Sequence, residues 1–451
     1  MIKSERRQKY YQKNRKGMNI CFMKSPFFKF DERLLAVSGA AQRAAKSAFD
    51  EIDRITEYNQ QKVLAAFIDN RVSETHFVST TGYGYGDRGR DTLDVVFAQV
   101  MGAQDALVRH SIVSGTHAIA IALFGVLRPN DTLLTVTGAP YDTLEKVIGL
   151  DDSSGRHEDI GSLRDYGINY KQIELNSDGL PDLPSVCAVL DDIKPKVVHI
   201  QRSRGYNTRP SLCVKAIGDI VKEVRRHSPQ SVIFVDNCYG EFAEREEPTA
   251  VGADLMAGSL IKNPGGGIAD NGGYICGRSD LIEQCAYRMT TPGLGREVGA
   301  SLGHNRSLYM GLFNAPHVVG EAMKTAVYCS SLFSMLGFEV SPTVEEARAD
   351  IIQMVKLGNP DALVAFCQGM QKGAPVDSFV VPYPWEMPGY ENEVIMAAGA
   401  FTMGSSIELS ADAPLREPYA AYMQGGLNFH SGKIGVLLAA QSMLEKGLLT
   451  L

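Results

Sequence analysis

Lys262 is the residue of this 451-residue chain whose setting most invites chemistry. A short apolar run, Leu260-Ile261, precedes it, and Asn263-Pro264-Gly265-Gly266-Gly267 follows at once. Proline and three glycines interrupt helix and strand alike, so a turn places the lysine rather than a solvated helix. A lysine amine taken out of water can act as a nucleophile or Schiff-base partner, although a lone lysine is more often a surface charge. The balance shifts upstream, where the apolar run Val232-Ile233-Phe234-Val235 ends in the carboxylate of Asp236. A buried strand that delivers an acid, followed by a turn that delivers an amine, could hold the two ends of one bound ring.

Other residues join this pair by position. Ser114-Gly115-Thr116 opens a helical stripe at Ile119, Ala122, Leu123 and Val126, and free N–H groups at such a start favour phosphate. Serine and threonine cap ordinary helices as well, so this signal is weak alone. Tyr141 follows the strand expected at 132–136, and Arg202-Ser203-Arg204-Gly205-Tyr206 follows the strand at 197–200. The glycine-alternating stretch 81–90 precludes regular helix and offers Tyr85, Arg88 and Arg90 to an anion. Arg416, after Ser406-Ile407-Glu408-Leu409-Ser410, is either a rim ion pair or a fork for a carboxylate.

The elements that position these residues alternate. Residues 30–77 read as helical, with Ile52, Ile55, Val63 and Ala66 on a stripe, and Leu93, Val96, Phe97 and Val100 mark another helix. Ile217, Ile220, Val221 and Val224 form a helix face between the strands at 197–200 and 232–235. Alternating strands and helices predict an α/β domain with a mostly parallel sheet, whose ligands gather at the carboxyl ends of the strands. A change of composition near 314 suggests four parts: a basic arm over 1–29, a helical segment over 30–77, a large domain over 78–314, and a smaller α+β domain over 315–451 with a last long helix at 433–446. The arm is either mobile or lies upstream of a later start at Met18, which leaves residues 1–17 in question.

Composition narrows the function. A net charge of −7 argues against a general nucleic-acid binder, and no apolar run is long enough to span a bilayer. Eight cysteines without Cys-x-x-Cys spacing point to free thiols in a reducing compartment, the cytoplasm. Nine histidines include no His-Glu-x-x-His pair, so no metal is expected, and no nucleotide P-loop motif is present.

Taken in order, the runs 114–121, 138–149, 201–206, 259–273 and 406–416, with Asp236-Asn237-Cys238-Tyr239 and Gly252-Ala253-Asp254-Leu255, resemble the methionine gamma-lyase-like proteins often labelled aluminium resistance proteins. These are cysteine and methionine metabolism enzymes of the fold-type-I pyridoxal phosphate class. The resemblance runs from about residue 30 to the end. It implies a large domain with a seven-stranded sheet, pyridoxal 5'-phosphate as cofactor, and a homodimer or homotetramer with shared active sites. It further implies that Lys262 holds the cofactor covalently and that Asp236 pairs with the ring nitrogen. Ser114, Gly115, Thr116 and Ser259 would bind the phosphate, with Tyr85 and Arg88 or Arg90 reaching in from a neighbouring subunit. Tyr141 would stack on the ring and move protons, and Arg416, with Arg204 and Tyr206, would hold the amino-acid substrate. Asp87 occupies the offset at which the lyases carry their phosphate-loop arginine, and 202–206 replaces their asparagine-containing loop. The expected activity is β- or γ-elimination of sulfur from cystathionine, methionine or a related amino acid. An aminotransferase, a synthase, and a non-catalytic stress or metal-tolerance protein on the same fold stay open as alternatives.

Overall fold

Apolar periodicity accounts for most elements of the computed structural model, which describes residues 25–150, 160–387 and 392–451. Most of the basic arm therefore lies outside the described residues. The helical segment forms α1 (Glu32–Ala44) and α2 (Lys46–Asp69), then a single 3-10 turn at Glu74–Phe77. Asp31 caps α1 by accepting from the Arg33 amide. The two helices serve different cores. Leu34, Val37 and Ala41 of α1 pack with Leu332 and Phe333, whereas Ile52, Val63 and Ala66 of α2 pack with Phe97 and Leu312.

The large domain builds one sheet. Its elements are α3 (Arg88–Val100), β1 (Asp105–Arg109), α4 (Gly115–Val126), β2 (Thr132–Thr135), α5 (Asp142–Ile148), β3 (Asn169–Gln172), α6 (Leu183–Ile193), β4 (Val197–Gln201), α7 (Val214–His227), β5 (Val232–Asp236), β6 (Leu255–Ser259), β7 (Gly273–Gly277) and α8 (Ser279–Met289). The seven strands lie in the order β1-β7-β6-β5-β4-β2-β3, and β7 alone runs against its neighbours. This is the mostly parallel α/β sheet that the alternation predicts. All residues of β4 to β7 are buried, as a sheet covered by helices on both faces requires. Alternate residues enter opposite cores: Ile233, Val235 and Met256 one, Val232, Phe234 and Leu255 the other.

α9 (Asn305–Met335) runs without a break across the boundary expected at 314. Its first turns, through Leu308, Tyr309 and Leu312, belong to the large-domain core, and its last, through Leu332 and Phe333, to the small-domain core. The remaining elements are β8 (Glu339–Ser341), β9 (Gln353–Lys356), α10 (Pro360–Lys372), β10 (Val394–Ala397), β11 (Ser410–Pro414), β12 (Ala420–Gln424) and α11 (Phe429–Glu445). The small sheet, β10-β11-β12-β9-β8, is antiparallel throughout. Burying a side chain such as Phe333 or Phe366 between this sheet and its helices contributes about 2–3 kcal/mol.

Candidate active site

The carboxyl ends of β5 and β6 carry the central residues. Asp236 is the last residue of β5, 7% exposed, and its Oδ1 accepts from the Cys238 amide at 3.1 Å. On the neighbouring strand β4, His199 is buried with neither ring nitrogen hydrogen-bonded among the described residues, and burial lowers its pKa to about 4 against the opposing pull of Asp236. That imidazole is neutral at physiological pH.

After Ser259 the chain turns, and Lys262 stands at the entry to the 3-10 turn Asn263–Gly265. A Cβ at Gly266, where φ is +55°, would come within 2.5 Å of the Gly311 carbonyl oxygen, so this turn packs backbone-to-backbone on α9. Asn263 Nδ2 donates at 2.9 Å to the carbonyls of both Tyr239 and Glu241, tying the lysine turn to the loop after β5. Lys262 Nζ consequently lies 4.0 Å from the centroid of the Tyr239 ring. Burial disfavours the charged amine, but Cys238, Tyr239, Asp236 and Glu241 outweigh it and hold the lysine above its ordinary range.

The start of α4 meets the same place. Ser114 caps it, accepting from the His117 amide at 3.0 Å, and Thr116 Oγ1 is 2.7 Å from Thr143 Oγ1. A Cβ added to Gly115 would stand 3.1 Å from Cys238 Sγ and 3.5 Å from Ser259 Cβ. Ser259 Oγ is buried and has no hydrogen-bond partner within the described residues. A helix N-terminus beside an unpartnered buried hydroxyl is a fitting place for an anion.

Tyr141 stands at the N-terminus of α5, and a Cβ at Gly205 would touch its ring at 3.1 Å. Its centroid is 6.0 Å from that of Tyr206, which is 5.6 Å from Tyr422. Tyr206, Tyr422 and Arg416 line a cavity of about 200 Å³, and Arg416 Nη2 donates to the Tyr206 carbonyl at 3.4 Å. Arg204 is placed differently: it is buried, and its Nη2 donates to Ser341 Oγ on β8 at 3.1 Å. Tyr85 and Arg88 are exposed. Arg90 is buried and already engaged, with Nη1 donating at 2.9 Å to the carbonyls of Gly84 and Gly299 and the guanidinium paired with Asp91. Asp87 caps α3 and accepts from Ser301 and Asn305, so it fixes the loop instead of offering charge to a ligand.

A family model for methionine gamma-lyase matches residues 35–444, nearly the whole described chain. The chain belongs to the methionine gamma-lyase family. An uncharacterized protein, YnbB of Bacillus subtilis (strain 168), is 50% identical over 399 residues, covering 88% of this chain and 94% of the relative. The crystal structure of a carbon-sulfur lyase involved in aluminum resistance from Clostridium novyi NT is 51% identical with a TM-score of 0.87, covering 91% of this chain and 96% of that one. Cystathionine gamma synthase from Xanthomonas oryzae pv. oryzae, solved in complex with cystathionine, shares the fold at 17% identity and a TM-score of 0.56, over 85% of this chain and 99% of that one.

In this member of the methionine gamma-lyase family, two site carboxyls are absent from the sequence-derived set. Asp412 lies on β11, where Gln424 Nε2 donates to its Oδ2 at 2.8 Å and Tyr206 supplies a further hydrogen bond. Glu241 is fully buried, accepts from Tyr274 Oη at 2.7 Å, and is pushed by burial up to about 8. An aspartate flanked by Ala411 and Ala413 inside a strand was the available signal, because strands are poor in aspartate. Among the described residues, Cys187, Glu223 and His227 could meet around a metal, but Arg226 already pairs with Glu223 and Asp191 with His227. A larger cavity of about 1210 Å³, bordered by α2, 244–246 and 344–348, contains none of the residues of this site. No helix of the described residues is long and apolar enough to cross a membrane.

Proposed function

We propose that this chain is a pyridoxal phosphate-dependent carbon–sulfur lyase that eliminates a thiol from the Cβ or Cγ of a sulfur amino acid. The observation that carries the cofactor is the unpartnered Ser259 hydroxyl at the start of α4, with Lys262 and Asp236 at the ends of the flanking segments. Lys262 would hold the cofactor covalently, Asp236 would pair with its ring nitrogen, and Ser114, Gly115, Thr116 and Ser259 would take its phosphate. When bound, the cofactor supplies an electron sink that stabilises negative charge at Cα.

The chain's own groups do the rest. Arg416 Nη donates to the substrate carboxylate at the rim of the 200 Å³ cavity and orients Cα. Lys262 Nζ is the base that accepts the Cα proton, and Tyr141 Oη donates a proton to the departing sulfur. Tyr85 and Arg88, exposed on one protomer, complete the phosphate site of a neighbour in a homodimer or homotetramer; Arg90 braces their loop from within. The seven cysteines among the described residues are unpaired, which suits the reducing cytoplasm.

The test is spectral and chemical together. The purified protein should take up pyridoxal phosphate with a visible absorbance band that Lys262→Ala abolishes, and should release thiol and keto acid from cystathionine or methionine. Products that retain their sulfur would instead make it an aminotransferase. Failure to take up the cofactor at all would end the reading.

A further inference from the structure

An amino acid arrives at neutral pH as an ammonium, and only its deprotonated amine is a nucleophile. A base must receive that proton, and the residues assigned above are unsuited to it. In the lyase reading Lys262 Nζ is committed to the cofactor and then to the Cα proton, Asp236 to the ring nitrogen, and Tyr141 to the proton it gives the departing sulfur. Glu241 is protonated at neutral pH and is hydrogen-bonded to Tyr274.

Asp412 is placed for the task. On β11 it alternates with Ala411 and Ala413, whose side chains fill the small-domain core, so its carboxylate projects from the opposite face, together with Pro414. Pro414 lines the Arg416 cavity, as do Ala420 and Tyr422 on the same face of the neighbouring strand β12. The groups around Asp412 come from every side: Tyr206 from the loop after β4, Lys262 and Tyr239 from the large-domain edge, Gln424 and Tyr422 from β12, and Cys367 from α10 behind. Of the cations, Lys262 is the one whose charge acts on it. Asp412 thus pairs across the sheet with Tyr422 of the cavity wall and feels the charge of the lysine amine.

We infer that Asp412 is a catalytic residue that docks the ammonium of the incoming amino acid and accepts its proton. The inference rests on the lyase reading for its cofactor and substrate. In the step, an N–H bond of the substrate breaks, an O–H bond forms on Asp412, the electron pair stays on nitrogen, and nothing is oxidised or reduced. Burial raises Asp412 to about 6 while Tyr206, Gln424 and Lys262 restrain the rise, so the group is ionised at neutral pH and more basic than an exposed aspartate.

The experiment follows the visible absorbance of the cofactor-loaded enzyme on rapid mixing with a sulfur amino acid, and separately with hydroxylamine, which is uncharged at neutral pH. Wild type should lose rate with the amino acid as pH falls through about 6. Asp412→Asn should slow the amino-acid reaction by roughly 100-fold at pH 7, the gap closing above about pH 9 as the amine deprotonates in solution, and Asp412→Glu should recover part of the rate. Hydroxylamine should react with Asp412→Asn at the wild-type rate, and the melting temperature should be retained. Equal slowing of both nucleophiles at every pH, or no slowing of either, overturns the inference. Because the signal needs no elimination, an enzyme that shows this pattern but releases no thiol would sink the lyase reading and leave the role of Asp412 standing.

Discussion

Lys262 Nζ sits 4.0 Å from the centre of the Tyr239 ring, and Tyr239 itself holds a left-handed backbone with φ of +72°. A non-glycine residue adopts that conformation when its surroundings enforce it, and here the Asn263 amide grips the Tyr239 carbonyl. The ring face, not the hydroxyl, meets the amine. Tyr239→Phe should therefore keep the rate of cofactor uptake within about 2-fold, while Tyr239→Leu should raise it by up to roughly 10-fold, because a cation–π contact of about 1–2 kcal/mol favours the charged amine and only the neutral amine attacks the cofactor. Stopped-flow absorbance of the cofactor-free enzyme mixed with pyridoxal phosphate measures both; equal changes in the two variants would assign the effect to the hydroxyl, and a slower Tyr239→Leu would remove the cation–π contact from the account.

Ser259 offers a cleaner separation of binding from folding. Its buried Oγ lacks a partner among the described residues, so Ser259→Ala removes none of their contacts that hold the cofactor-free fold together. Chemical denaturation of that form should show unchanged stability, or a gain of up to about 1 kcal/mol. Affinity for the cofactor should nevertheless fall about 10-fold or more, because a hydrogen bond to an anion contributes about 1.5–3 kcal/mol. Fluorescence titration with pyridoxal phosphate checks this, and an unchanged dissociation constant would remove Ser259 from the phosphate site.

Arg88 and Arg90 should behave differently although two residues apart. Arg90 joins the carbonyls of Gly84 and Gly299, so Arg90→Ala should cost about 2–3 kcal/mol of stability before any ligand is added. Arg88→Ala should leave the melting temperature alone and weaken cofactor binding. If Arg88 serves a neighbour's site, mixing unfolded Arg88→Ala and Lys262→Ala chains and refolding them together should restore activity that neither has alone, since hybrid dimers regain one intact site. No recovery would confine Arg88 to its own protomer.

Much of this was legible in the chain because punctuation and chemistry coincide. Pro264 and its glycines stop the segment at Lys262, the run 232–235 stops at Asp236, and Ser114 caps a strongly apolar helix. β6 and β7 were harder to read because glycines thin their apolar pattern. Gly258 is there for closeness, since a Cβ would come within 2.6 Å of Glu241 Oε1. The boundary at 314 disappears into α9 because one amphipathic helix serves two cores in turn, and periodicity does not say which core a given turn enters. Asp412 escaped for a different reason. Its link to Gln424 depends on antiparallel register, and its nearness to Lys262 on how the small sheet meets the large domain.

Glu241 carries a pH dependence whose sign is fixed by its burial. Its carboxyl is raised from an ordinary 4.5 to about 8, burial being the main cause and the Tyr274 hydrogen bond opposing it, so the folded chain keeps a proton that the unfolded chain gives up between those values. The stabilising contribution is full below about pH 4.5, declines as pH rises, and is spent above about pH 8. Glu241→Gln keeps the shape and removes the proton, and so should erase this slope of up to about 1.4 kcal/mol per pH unit. Urea midpoints of the cofactor-free protein at pH 5, 6.5 and 8.5 should then show the variant gaining on wild type as pH rises. A constant difference would mean that Glu241 is ionised in the fold, with Lys262 as its counter-charge, and the lysine amine would owe its raised pKa to that pair.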